Sequence, residues 1–170
     1  PDWTATVRST FRIRNADVAF LVEARKGGKI FSATNLWGSR AGTLESTVLD
    51  RETGKLIPGI DSITGAANAT TVSVEDYFHA LGGIHEPWVY DASYAKLREL
   101  RISYETGLTR IPVLAAQTLR ISLVGRNLWT WAKAPNIDPE TALSAGTFQG
   151  FEMGQLPSSR SLGLQLSITP

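Results

Sequence analysis

From Trp3 to Arg14 the chain alternates without a break. Trp3, Ala5, Val7, Ser9, Phe11 and Ile13 share one parity, and Thr4, Thr6, Arg8, Thr10, Arg12 and Arg14 share the other. Successive side chains of a β-strand point to opposite faces, so this run reads as one long strand with an apolar face and a cationic-polar face. The pattern recurs four times. Val18, Phe20, Val22 and Ala24 oppose Glu23 and Arg25, and a glycine bulge at Gly27-Gly28 is expected to extend that strand through Ile30 and Phe31. Tyr94, Leu100, Ile102 and Tyr104 oppose Leu97, Glu99, Arg101, Ser103 and Glu105, with a less regular stretch around Lys96 and Arg98. Leu119, Ile121, Leu123, Trp129 and Trp131 alternate with Arg120, Ser122 and Arg126, while Asn127 falls on the apolar parity, as a bulge or as the point where the strand leaves its apolar surroundings. Leu162, Leu164, Leu166 and Ile168 close the series against Ser161, Gly163, Gln165, Ser167 and Thr169. The expectation is an all-β fold with strands at about 3–14, 17–31, 92–106, 117–131 and 160–169.

The connections run short, long, short, long. Asn15-Ala16-Asp17 supplies turn residues for a hairpin, and 107–116, with Pro112, makes the second short link. The long ones cover about 32–91 and 132–156, far beyond ordinary loop lengths. One short helix is expected in the first: Ser73 as N-cap, Asp76 three positions on, and Gly82-Gly83 as the stop.

A soluble β-sandwich used as a ligand- or glycan-binding module also alternates, because its strands wet one face. Strand length separates the readings. Runs of about 11–15 residues exceed the globular mean of roughly 5–6 and suit a tilted bilayer crossing. Tyr94 and Tyr104, about 33 Å apart along a strand, are predicted to lie in the two aromatic girdles of a barrel, with Trp3, Trp129 and Trp131 at the outer rim. The arginines set the faces. An Arg8 or Arg12 toward lipid costs about 2–4 kcal/mol near the midplane, so these residues, with Glu99, Arg101, Arg120 and Arg126, are predicted to face the lumen. Long loops then lie outside the cell and short turns in the periplasm. Five strands close no small barrel, so further strands are expected upstream of Pro1, and the uncovered lipid face and strand edges predict an insoluble fragment.

Composition narrows the chemistry. With 17 Lys+Arg against 16 Asp+Glu, the net charge of +1 supplies no field for nucleic acid. The absence of cysteine removes thiolate chemistry, and only two histidines are present. His79 and His85, with Glu86 or Asp76, lack a third strong ligand, so no metal and no cofactor is expected. Asp138-Pro139-Glu140 reads as a turn ahead of an acid–base pair or calcium set, and Asn68-Ala69-Thr70 as a chance glycosylation match. Gly27-Gly28-Lys29 lacks the spacing of a phosphate loop, and no serine stands in a nucleophile elbow, so no catalytic residue is expected. Trp37, Tyr77, Phe78, Trp88 and Tyr90 gather in the first long loop, as sugar- or lid-contacting residues or as the loop's own small core.

Pro1-Asp2-Trp3, the turn at Arg25-Lys26-Gly27-Gly28-Lys29-Ile30, the run from Tyr90 to Leu100, Gly125-Arg126-Asn127-Leu128-Trp129-Thr130-Trp131, Asp138-Pro139-Glu140 and Leu156-Pro157-Ser158-Ser159-Arg160-Ser161 form an ordered set. That set resembles the C-terminal portion of SusC/RagA-type TonB-linked outer-membrane proteins. The resemblance implies the C-terminal segment of a large transmembrane β-barrel of about 22 strands, plugged by an N-terminal domain. It implies uptake of oligosaccharides, peptides or similar large nutrients in the bacterial outer membrane. The partners it implies are a SusD-like surface lipoprotein, outer-membrane lipids and the TonB complex, reached through the plug. The ending Ser167-Ile168-Thr169-Pro170 departs from the family's usual aromatic terminus.

Overall fold

A computed structural model describes residues 1–107 and 118–169. The predicted short link at 108–117 and Pro170 lie outside the described residues. In chain order the elements are β1 (Trp3–Ile13), β2 (Ala16–Lys26), β3 (Lys29–Ser32), α1 (Ala33–Arg40), β4 (Lys55–Leu56), β5 (Thr71–Val72), α2 (Val74–Leu81), β6 (Val89–Asp91), β7 (Tyr94–Gly107), β8 (Thr118–Ala132), β9 (Phe151–Glu152) and β10 (Ser161–Thr169). They fall into two compact units, 1–28 with 91–140 and 156–170, and 29–90 with 141–155.

The first unit is an antiparallel five-stranded sheet in the order β1-β2-β7-β8-β10. Its register converts the alternation of separate strands into a two-faced wall. Phe11, Val18, Ile102, Leu123 and Leu164 form one continuous apolar row across all five strands. The neighbouring row, Arg12, Asp17, Ser103, Ser122 and Gln165, is polar throughout and faces the other way. This row alternation is that of a barrel wall with lipid on one side and water or protein on the other.

Where the predicted strands miss, the backbone supplies the reason. The hairpin turn is Arg14-Asn15 rather than Asn15-Ala16-Asp17, because Ala16 already pairs with Ile13 and Arg14 takes the left-handed conformation at φ 54°. The second strand stops at Lys26 and does not bulge onward to Phe31. Gly27 and Gly28 both have positive φ, 77° and 83°, which ends the strand and directs Lys29–Ser32 into a different sheet, β6-β3-β9. At Gly27 a side chain would have to displace the Asp2 carboxylate, 2.6 Å from its Cβ, and would be strained by the positive φ, so glycine is favoured there.

Tyr94 corrects the predicted girdle. β7 carries one extra residue at Arg98 against β2, where Leu21 pairs with Glu99 and Val22 with Leu97; opposite Arg98, β8 in turn carries two residues, Asn127 and Leu128. One inserted residue reverses the facing of everything before it. Tyr94 therefore sits in a row with Arg25 on the charged face, buried, while Ala95 and Leu97 take the apolar face. Trp3, Tyr104, Trp129 and Trp131 do lie half-exposed on the apolar side. At Asn127 β8 also bulges, with φ 50°, and Leu128 folds over Gly125, whose missing side chain leaves the room.

The second unit holds two helices, not one. α2 starts as expected: Ser73 Oγ accepts from the Asp76 amide at 3.0 Å and donates to the Asp76 carboxylate at 2.7 Å. α1 is capped by Ser32, whose Oγ accepts from the Asn35 amide at 3.0 Å. With Gly38 inside it and polar residues around its circumference, α1 has almost no apolar stripe, so periodicity cannot announce it.

Candidate functional site

The charged face of the wall carries the residues expected to face the lumen in ladders. Arg8 stands in a row with Leu21, Glu99 and Arg126, and Arg101 with Thr10, Ala19 and Val124. Arg120 reaches both Asp17 and Glu105 at 3.1 Å, and Arg126 approaches Glu99 at 3.8 Å. Arg8, Arg12, Glu99, Arg101, Arg120 and Arg126 thus all share the face opposite the apolar rows.

Farther along β7, sequence reasoning missed the densest polar cluster. Lys96 is completely buried and its ammonium donates to Asp138 at 2.6 Å and to Glu140, with Ser158 Oγ at 3.5 Å. Arg98, the bulge residue, pairs with Glu23 at 3.0 Å and with Glu140. The Tyr94 hydroxyl lies 2.7 Å from Glu23 and 3.0 Å from Glu140, and Lys96 stands 5.3 Å over the Tyr94 ring. Asp138 also accepts from Ser158 Oγ at 2.6 Å and from the Ser158 amide at 3.2 Å. Burial alone would raise the Asp138 carboxyl; hydrogen bonds from Lys96 and Ser158 outweigh it and hold the group at about 2. Asp138-Pro139-Glu140 is therefore a turn, as expected, and also the anionic half of a lock on the wall. The only sequence signal for it was the irregular parity around Lys96 and Arg98.

The second unit separates the five predicted contact aromatics. Trp88 and Phe78 are buried with Leu36 and Val74, and Tyr77 and Phe31 pack against them, so Trp88 and Phe78 are core and present no ring to a ligand. Their apolar area inside a loop too long to stay open favours burial over display. Tyr90 is half-buried, which raises its phenol above the usual range. Trp37 keeps 50% of its surface exposed and is the indole of this group left for contact. A cavity of about 460 Å³ between α1 and α2 is lined by Arg40, Arg51, Ser73, Glu75 and Phe78. Arg51 is held by the Thr47 carbonyl at 2.7 Å and the Gly42 carbonyl at 2.5 Å.

Glu152 is the second feature the sequence hid. It is buried, has no cation beside it among the described residues, and accepts instead from Ser32 Oγ at 2.8 Å, Thr34 Oγ1 at 2.5 Å and the Gly154 amide at 2.6 Å. This ties β9 to the start of α1, where the helix dipole favours a carboxylate. Among the described residues no cluster of His, Cys, Asp and Glu has metal-binding geometry. Asp76 is spent on capping, and His85 packs edge-on against Phe31.

No family model matches the chain. Over 99% of its length it is similar to two proteins of Formosa agariphila: TonB-dependent receptor P3, 25% identical, and TonB-dependent receptor P26, 24% identical. The chain spans only 16% and 17% of the length of these relatives. Among solved structures, that of the RagAB peptide transporter superposes on 91% of this chain with a TM-score of 0.52, covering 15% of its own chain at 15% identity. At that identity the likeness speaks for the fold, and the fold agrees with the two-faced wall.

Proposed function

We propose that this chain, similar to two TonB-dependent receptors and in fold to the RagAB peptide transporter, is a segment of a TonB-dependent outer-membrane barrel of the SusC/RagA type and supplies wall and extracellular loops to an importer of large nutrients. Oligosaccharides, peptides or similar solutes are captured at the outer loops. A SusD-like surface lipoprotein closes over them. The TonB complex, acting through the plug of the full-length receptor, then drives release inward. The observation that supports this reading is the register. An unbroken apolar row over five strands, left exposed at Phe11, Ile102, Leu123 and Leu164 where a water-soluble sandwich would cover it with a second sheet, suits a wall between lipid and lumen.

In this reading Trp3, Tyr104, Trp129 and Trp131 mark the bilayer boundaries. Arg8, Arg12, Glu99, Arg101, Arg120 and Arg126 line the lumen, and Trp37, with the Arg40–Arg51 cavity, is the part of the first long loop open to solute or lid. The cluster around Lys96 holds the start of the second long loop in place.

Two adjacent substitutions test the face assignment. Leu164→Arg places a cation on the apolar row and is expected to cost about 2–4 kcal/mol. Gln165→Arg, one residue along on the opposite face, is expected to be tolerated. The measurement is the amount of folded, heat-modifiable full-length receptor in the outer membrane. Equal yields from the two variants would remove the lipid assignment. Transport is tested with energised cells given labelled malto-oligosaccharides and oligopeptides in turn. Uptake of one class, lost on deleting TonB, is the expected result, and uptake indifferent to TonB would contradict the importer.

A further inference from the structure

The cavity between α1 and α2 gathers two cations and one anion that do not pair. Arg40, Arg51 and Glu75 line it, and among the described residues no ion pair joins any of them to a partner. Its apolar lining is Val74 and Phe78, both buried, and its volume of about 460 Å³ is that of a pocket for a small ligand. Both guanidinium groups are nevertheless fixed in place. Arg51 donates through Nε to the Thr47 carbonyl at 2.7 Å, and through one terminal nitrogen to Thr47 Oγ1 at 2.8 Å and the Gly42 carbonyl at 2.5 Å. Its other terminal nitrogen has no partner among the described residues. Arg40 lies across Gly82. A Cβ there would stand 2.5 Å from the Arg40 Cδ, and since Gly82 has an ordinary helical φ of −62°, it is room for the arginine that calls for glycine. An arginine that merely faces water needs neither restraint.

Resting on the importer reading, we propose that this cavity is a subsite for a carboxylate of the captured solute, borne by a uronic-acid sugar or by a peptide C-terminus. Guanidinium forks match a carboxylate in plane and charge, and forks already held in position lose little freedom when it binds. The Val74 and Phe78 surface suits the carbon frame that carries the acid. Glu75 narrows the class. One carboxylate beside two guanidinium groups repels a dianion such as a phosphate monoester, but accepts a hydrogen bond from a sugar hydroxyl or a peptide N–H of the same ligand. The start of α2 adds no separate pull, because its first turn already carries Glu75 and Asp76.

The test uses the full-length receptor, purified from the outer membrane and treated with the arginine reagent phenylglyoxal, with modification of Arg40 and Arg51 followed by peptide mass spectrometry. Four probes are added in turn: trigalacturonate, its methyl ester, trialanine and trialanine amide. One of the two acids is expected to slow modification of both arginines about tenfold once it is present at about ten times its Kd, while its counterpart without the carboxylate leaves the rates unchanged. Protection by trigalacturonate assigns a sugar acid, and protection by trialanine a peptide end. Arg40→Gln, which leaves the buried cluster of this unit untouched, should weaken the protection of Arg51 by the same acid roughly tenfold. Neither acid protecting, or the ester and amide protecting as well as the acids, would overturn the inference. Because the readout needs no transport, a receptor with TonB-dependent uptake but no protection loses the subsite alone, whereas protection in a receptor whose uptake ignores TonB refutes the importer reading.

Discussion

Lys96→Met is expected to release the segment that carries Asp138 and Glu140 while leaving the five-stranded wall assembled. The ammonium is completely buried and the Asp138 side chain keeps only 6% of its exposure, so removing the cation strands carboxylates away from water. Breaking one partner of such a pair costs about 3–5 kcal/mol. Two amides report it directly, because the Glu140 and Ser158 N–H groups both donate to Asp138. Their hydrogen exchange should quicken by roughly a hundredfold or more in the variant, and amides in the middle of β7 and β8 should not change. The triple variant Lys96→Met, Asp138→Asn, Glu140→Gln should recover part of the loss, since no buried charge is left unpaired. Unchanged exchange at Glu140 and Ser158 in Lys96→Met would show that the cluster holds nothing.

The same lock has a pH dependence whose sign follows from Asp138. Its folded-state value of about 2 lies below the ordinary 3.8, so the stabilisation is fully present above the ordinary value and is lost as pH falls through about 2. Pepsin works in that range. The second long loop should resist it near pH 4 and be cut as the pH passes through about 2, and cleavage indifferent to pH over that interval would count against the lock.

Trp88→Ala should unfold the second unit without disturbing the barrel. Trp88 is 4% exposed and packs with Leu36, Val74 and Phe78 in the one buried apolar cluster of that unit among the described residues. Truncating a buried tryptophan costs about 3–5 kcal/mol, and a unit with so few other buried side chains has little reserve. Trypsin added to intact cells reads the effect at Arg40, Arg51 and Lys55. Trp88→Ala should be cut roughly tenfold faster or more. Trp37→Ala, in the same unit but half-exposed, should be cut at the wild-type rate. If the two variants behave alike in this assay, Trp88 is no core residue and the division between core and contact aromatics collapses. If Trp37→Ala alone weakens solute capture, the exposed indole acquires its role.

The strands were legible because each is two-faced over a length that only a long sheet can use, and a period of two survives without knowledge of any partner. Phe11 and Arg12 declare opposite faces by themselves, and their faces hold in the structure. Ser73 and Asp76 likewise announce α2, because a cap is a local hydrogen bond. α1 escaped for the converse reason: its residues carry no apolar stripe, and its start is stabilised by Glu152, more than a hundred positions away in the chain.

Tyr94 shows where local reading stops. Its parity with Leu100 and Ile102 is correct along the sequence, but Arg98 adds a residue to the ladder, and a bulge is defined only by the strands on either side. The wall, its two faces and the long loops were determined by alternation and composition alone, since burial against lipid or water acts on each strand separately. The fate of Tyr94, Lys96, Arg98, Asp138 and Glu152 was decided by tertiary structure. A buried charge is tolerable only beside its partner, and these partners are brought together by the fold, not by spacing in the chain.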